Sequence, residues 1–190
     1  IASTFDSTNN KIIIAYQNRS GSNYGFAVVG TISGTSISFG TPVAFNSVDI
    51  EHTGMSYDSN SERVVIGYRD NGNSSRGTAV VGSVSGTSIS FGTPVVFTTN
   101  STDGSIPIAV TFDSSNNKIV IAWSDRTASN HPKAIVGTVN PANNSISFGT
   151  ETVIASVSGN SLSAAFDSTN NKIVVAYEDG SNSQRGTAAV

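Results

Sequence analysis

The chain has 190 residues, of which only 12% are charged and 37% are apolar, a balance typical of short strands joined by polar turns. The formal net charge of −3 argues against a nucleic-acid surface, which needs a basic patch. The absence of cysteine excludes disulfides and thiolate metal sites, and no apolar run is long enough for a membrane-spanning helix.

A tandem repeat organises the whole sequence. An aromatic residue followed by Asp-Ser occurs at Phe5, Tyr57, Phe112 and Phe166, and the segment FDSTNNKI stands both at 5–12 and at 166–173. The segment SGTSISFGTPV also occurs twice, at 33–43 and 85–95. The sequence therefore predicts a single repeat domain over 1–190, with approximate units 1–48, 49–103, 104–157 and 158–190.

Each unit predicts four strands in chain order. The first strand is short and rich in small residues, and the four copies are 1–5, 55–57, 108–112 and 162–166. The second is β-branched and ends in an aromatic residue, at 11–16, 63–68, 118–123 and 172–177. The third is rich in Ala, Val and Gly, at 25–32, 77–84 and 133–139, and the fourth spans 36–45, 88–97 and 145–154. No segment has a helical period.

Turn residues separate these strands. Asn-Asn after the first strand and Ser-Gly-Thr after the third suit tight hairpins with positive φ. The aspartates of the repeated motif (Asp6, Asp58, Asp113 and Asp167) do not have the spacing of a calcium loop, so we expect them to bond their own turns and expect no metal site or cofactor.

The repeat predicts an all-β fold, a β-propeller of four-stranded antiparallel blades with the last blade incomplete. Another β-repeat, such as a parallel β-helix, is the alternative. In a propeller, the aromatic residues at two fixed repeat positions are expected to be buried between blades: Tyr16, Tyr68, Trp123 and Tyr177, with Phe39, Phe91 and Phe148. Because the fourth unit ends inside its third strand, we expect either further repeats or pairing with a second chain.

The loops after strands two and four are expected on one face, and they differ in every unit. Two repeat positions, six residues apart, stand out at the ends of the loop after strand two. The first is held by Asn18, Asp70, Asp125 and Asp179, and the second by Tyr24, Arg76, His131 and Arg185. Cross-strand charge pairing explains them most simply; the alternative is a set of pockets for sugar hydroxyls on this variable face. The candidate ligand-binding residues are Asn18, Arg19, Tyr24, Asp70, Arg76, Asp125, Arg126, His131, Asp179 and Arg185.

Catalytic patterns are weak in this sequence. There is no nucleophile elbow or P-loop, and the acids just upstream of first strands are Glu51 and Asp103. The sequence therefore favours a protein that is not an enzyme over a propeller glycosidase, and no catalytic residues are assigned.

The repeated phrases, such as FDSTNNKIVVAY and GTAVVGSVSGTSISFGTPVVF, resemble the repeats of bacteriophage virion and tail-associated proteins. The resemblance implies a structural or binding module of a virion appendage, or of another extracellular surface protein. Its expected partners are other virion or surface chains, further copies of itself and cell-surface glycans, with no nucleic acid and no membrane insertion. A spacer that binds nothing is the alternative.

Overall fold

The computed structural model describes residues 1–105 and 107–190, and 64% of the chain is β-strand. The strands form consecutive antiparallel sheets, which confirms the all-β prediction. No helix in the described residues is long and apolar enough to cross a membrane.

Each repeat forms one sheet, which we call a blade. Blade 1 contains β1 (Ala2–Asp6), β2 (Lys11–Asn18), β3 (Tyr24–Ser33), β4 (Ser36–Phe39) and β5 (Val43–Asn46). Blade 2 contains β6 (Ile50–Asp58), β7 (Arg63–Asp70), β8 (Arg76–Ser85), β9 (Ser88–Phe91) and β10 (Val95–Ser101). Blade 3 contains β11 (Ala109–Asp113), β12 (Lys118–Asp125), β13 (His131–Asn140), β14 (Ser145–Phe148) and β15 (Thr152–Val153). Blade 4 contains β16 (Gly159–Asp167), β17 (Lys172–Asp179) and β18 (Arg185–Ala189).

Within each blade, the first strands pair antiparallel with their neighbours in the chain, and the last strand of blades 1, 2 and 3 pairs antiparallel with the third strand. The register between the second and third strands is continuous, as in Tyr16 opposite Phe26 and Tyr68 opposite Thr78. A parallel β-helix requires parallel pairing, and the described strand pairs are antiparallel throughout, so that alternative is wrong.

The predicted fourth strand is divided into two segments, both paired with the third strand. The break occurs at Gly40 in blade 1 and at Gly92 in blade 2, whose backbone N–H groups donate to Val29 and Val81. A Cβ at Gly40 would lie 2.0 Å from the Thr87 carbonyl oxygen of the next blade. The neighbouring blade approaches this position too closely for any side chain, so glycine is required here.

The turn predictions are confirmed. Asn10, Asn117 and Asn171 have positive φ after the first strand, and Gly34 and Gly86 have positive φ after the third. The motif aspartates bond their own turns, since Asp6 Oδ1 accepts from the Thr8 and Asn9 N–H groups at 3.0 and 2.9 Å; Asp58, Asp113 and Asp167 do the same. The sequence did not predict the short 3-10 helices Asn71–Asn73, Arg126–Ala128 and Gly180–Asn182, which occupy the loop after the second strand.

The core lies between blades. The first strands pack in series, β1 on β6, β6 on β11 and β11 on β16, and three apolar clusters fill the three interfaces between consecutive blades. Tyr68, Trp123 and Tyr177 are buried in these clusters as predicted, and Phe91 and Phe148 are half-buried against them.

Two aromatic residues of blade 1 depart from that prediction. Tyr16 is only partly buried and Phe39 is exposed. Both lie on the face of blade 1 that points away from blade 2, where Tyr16 stacks on Phe26 of its own blade. Their repeat positions are those of buried residues, but burial at such a position requires a preceding blade.

Candidate functional site

The loops after the second and fourth strands lie on one face, as predicted. Ile50, which follows a fourth strand, donates its N–H to the Asn23 carbonyl in the loop after the second strand of blade 1. Equivalent bonds join Thr102 to Ser75 and Gly159 to Asn130. The segment that joins two consecutive blades, which we call the link, is therefore hydrogen-bonded to the variable loop of the preceding blade.

A cavity of about 400 Å³ opens on this face between blades 1 and 2, and we call it the rim cavity. It is lined by Ile1, Gln17, Arg19, Ile50, Glu51, His52, Thr53, Gly104 and Pro107. The polar groups include an amide, a guanidinium, a carboxylate, an imidazole and a hydroxyl, while isoleucine and proline form apolar wall. The volume is within the range of small-molecule sites, and the lining is more polar than in most of them.

Gln17 and Arg19 form one side of the rim cavity. The Gln17 amide nitrogen donates to the Ile50 carbonyl at 2.6 Å and to Asp49 at 3.2 Å, so its oxygen is left to accept from Arg19 Nε at 2.9 Å. The terminal nitrogens of Arg19 make no hydrogen bond to any described residue. They are free to donate to a ligand in the cavity.

Glu51 is held in place by the buried Arg69. One terminal nitrogen of Arg69 bonds to Glu51 and to Asn71, and its Nε donates to the Thr102 carbonyl at 3.3 Å. Gly104 leaves room for the guanidinium, because a Cβ there would lie 3.3 Å from Arg69 Cζ. The carboxylate is therefore oriented by groups from blade 2 and from the link to blade 3.

His52 lies at a β-bulge in the first strand of blade 2, where the pairing register shifts between Glu51 and Gly54. Its backbone has φ of 50°, and its ring Nε2 is 2.7 Å from the Gly104 carbonyl. A carbonyl only accepts, so Nε2 carries the hydrogen in this contact and Nδ1 is left for another hydrogen bond. Bulges of this kind often redirect side chains next to binding sites.

The two registers picked out in the sequence lie directly opposite each other across the hairpin. The partners are Asn18 with Tyr24, Asp70 with Arg76, Asp125 with His131 and Asp179 with Arg185. The interpretation as charge pairs is wrong, since no ion pair joins these positions within residues 1–105 and 107–190. Asp125 is paired instead with Lys133 at 2.7 Å.

Three of these polar residues order their own loops. Asn18 Oδ1 accepts from the Ser20 N–H and hydroxyl, and Asp125 and Asp179 accept in the same way from Thr127 and Ser181. The ten candidate ligand-binding residues are spread over all four blades, and of these ten Arg19 lines the rim cavity. The structure therefore does not bring the ten residues into a common pocket.

The other polar cavity residues were not among the sequence candidates. Glu51 was recognisable as an acid just before a first strand, and Gln17 directly precedes the variable loop. Nothing in the spacing indicates that Gln17 and Glu51, which are 34 positions apart, share one cavity.

No protein-family model and no curated protein sequence matches the chain. A solved structure titled "NanB plus Optactamide" is similar to it, with a TM-score of 0.67 and 16% identity. The match covers 98% of this chain and 28% of that one, so the chain spans little more than a quarter of NanB's length.

NanB is a sialidase with a β-propeller, and the likeness confirms the predicted β-propeller fold. It also overturns the expectation that this chain is not an enzyme, because nearly all of this chain has the fold of part of an enzyme. The comparison gives no link to phages.

Proposed function

We propose that the chain recognises a carbohydrate in the rim cavity, as part of a carbohydrate-active β-propeller. The observation that carries the proposal is the convergence of Arg19, Gln17 and Glu51 on one cavity in a fold shared with a sialidase. Sugars present hydroxyls that both donate and accept, and this cavity offers donors and acceptors on an apolar wall.

Arg19 gives the sharpest test, because its terminal nitrogens are free to donate. Arg19→Ala is expected to weaken binding of the best glycan by about tenfold or more, since a hydrogen bond from a charged group contributes roughly 1.5–3 kcal/mol. The measurement is titration calorimetry with sialyllactose and neutral oligosaccharides, after a glycan-array screen.

The matched control is Arg126→Ala. Arg126 has the same repeat position in blade 3 as Arg19 has in blade 1, but it does not line the rim cavity. Its removal is expected to leave affinity unchanged. Equal losses in both variants, or no loss in Arg19→Ala, would assign binding to another part of the chain.

Glycoside hydrolysis is the second candidate function, and the position of Glu51 favours it. Glycosidases place carboxylates at the scissile bond, and Glu51 is a carboxylate oriented within the cavity by Arg69. If the chain hydrolyses fluorogenic sialosides or other glycosides, Glu51→Gln is expected to abolish release of the fluorophore. Asp103→Asn is the control, because Asp103 does not line the cavity and accepts from the Ser105 N–H at 2.6 Å.

The biological setting that we propose is a virion appendage or another extracellular surface. Its support is the resemblance of the repeat phrases to phage virion proteins. Mass spectrometry of purified virions and of the proteins at the surface of a host that carries the gene tests this setting, and absence of the chain from both would refute it.

A further inference from the structure

Asp49 lies in the link between blades 1 and 2, directly before Ile50, and it does not line the rim cavity. Its two carboxylate oxygens bond to different blades. Oδ1 accepts from the Gln17 amide nitrogen at 3.2 Å, and Oδ2 accepts from the Asn71 amide nitrogen at 3.0 Å. One side chain therefore joins the second strand of blade 1 to the loop after the second strand of blade 2.

The Asp49 carboxylate sets the orientation of both amides. A carboxylate only accepts, so each amide turns its nitrogen toward Asp49 and its oxygen away. The Gln17 oxygen then accepts from Arg19 Nε at 2.9 Å, and the Asn71 oxygen accepts from a terminal nitrogen of Arg69. Both amide oxygens are thus directed at guanidinium groups.

These hydrogen bonds form one continuous chain between two parts of the rim cavity wall. The chain begins at Arg19, passes through Asp49 and ends at Glu51, which is bonded to the same terminal nitrogen of Arg69. Arg19 and Glu51 are the donor and the carboxylate that we propose to meet the sugar. Their positions are therefore coupled through a residue outside the cavity.

The repeat shows how the other links are held. In all three links, a side chain at one repeat position of the second strand donates to the link carbonyl: Gln17 to Ile50, Arg69 to Thr102 and Ser124 to Gly159. The residue before that carbonyl is Asp49 in the first link, but Ser101 and Ser158 in the other two. Those two links are held without a carboxylate at this position, which indicates that Asp49 serves the cavity rather than the link.

We propose that Asp49 is a positioning residue for the rim cavity, which holds Arg19 and Glu51 in a fixed relation by orienting the two amides between them. Its effect on affinity rests on the proposed carbohydrate site. The chain of hydrogen bonds can be tested without a ligand.

Asp49→Asn tests the orientation of the amides, because the new side chain has the same size but one acceptor and one donor. Gln17 is expected to keep its orientation, since the Ile50 carbonyl also accepts from its nitrogen at 2.6 Å. The Asn71 amide is instead expected to turn its oxygen toward position 49 and its nitrogen toward Arg69, so that donor faces donor. Affinity for the best glycan should fall by about fivefold.

Exchanging the carboxylate and the amide is a sharper test. Asn71→Asp alone brings a second carboxylate against Asp49, and it should weaken binding at least as much because like charges repel. In the double variant that combines Asp49→Asn with Asn71→Asp, the new amide donates to the new carboxylate, which in turn accepts from Arg69. The double variant is therefore expected to recover most of the affinity, which two independent structural losses would not allow.

Side-chain nuclear magnetic resonance gives a readout that needs no glycan. The guanidinium N–H signals of Arg69 are expected to be sharp in the parent chain, to broaden in Asp49→Asn and to sharpen again in the double variant. Asp103→Asn is the matched control, since it removes a carboxylate from another link, where Asp103 accepts from the Ser105 N–H. It should change neither these signals nor the affinity.

The two readouts separate this inference from the carbohydrate proposal. If no glycan binds the parent chain but the Arg69 signals respond as expected, the carbohydrate proposal fails and the role of Asp49 in ordering the cavity stands. Arg69 signals that Asp49→Asn leaves unchanged would overturn the inference, whether or not a glycan binds. So would an unchanged affinity for a bound glycan, or a double variant that stays as impaired as the single variants.

Discussion

Replacing Lys133 with methionine is expected to lower the free energy of unfolding by about 3–5 kcal/mol. Lys133 Nζ lies 2.7 Å from Asp125 Oδ2 and 2.5 Å from Glu151 Oε1, and Asp125 is fully buried. Methionine fills a similar volume but leaves the Asp125 charge in the core without its cation. Urea denaturation followed by tryptophan fluorescence measures the loss.

Two further variants show whether the charge is responsible. Lys172→Met removes an exposed lysine and is expected to change stability by less than about 0.5 kcal/mol. Adding Asp125→Asn to Lys133→Met removes the stranded charge and is expected to restore part of the lost stability. A double variant that is less stable than Lys133→Met would contradict the explanation.

The same ion pair predicts a dependence on acid. Burial raises the pKa of Asp125, but hydrogen bonds from Lys133, Asn100 and Thr127 and the charge of Lys133 outweigh it and lower the pKa to about 2. Because the folded pKa is below the ordinary value of 3.8, the stabilisation is complete above about pH 4 and is lost as the pH falls through 2. The difference in stability between the parent and Asp125→Asn should therefore shrink over this interval.

Trp123→Ala is expected to cost about 3–5 kcal/mol, as other large-to-small substitutions of buried aromatic residues do. Trp123 is almost fully buried between blades 2 and 3, and its ring centroid lies 5.1 Å from that of Phe97. Phe97 also packs edge-on against Phe148 at 5.9 Å, so the cavity would open beneath an aromatic cluster. Thermal and urea denaturation measure the effect.

The repeat supplies matched controls for this substitution. Trp123→Tyr introduces the residue that the other three units have, and it should cost much less than alanine. Tyr16→Ala alters the same repeat position in blade 1, where the side chain is only partly buried. It should also cost less than Trp123→Ala. Equal losses at Tyr16 and Trp123 would mean that packing between blades does not determine the importance of this position.

The sequence also indicated the face on which the candidate site lies. Adjacent antiparallel strands place alternate connections at opposite ends of a sheet, so the variable loops had to gather on one side. Arg19 was identified in this way. Gln17, Glu51 and His52 were not selected, because their meeting depends on how blade 2 is seated against blade 1 and on the bulge between Glu51 and Gly54.

The sequence alone indicated the four repeats, the positive φ in their turns and the antiparallel order of the first three strands, because strand alternation, Asn and Gly turns and Asx hydrogen bonds are local or short-range effects. The tertiary structure decided which copies of these repeat positions are buried. Phe39 and Phe91 occupy the same position in the repeat, yet Phe39 is exposed and Phe91 is half-buried, since Phe91 packs against blade 1. It also decided that Asp125 pairs with Lys133 rather than with the residue opposite it, because that choice depends on which side chains the packed loops and outer strand bring within reach.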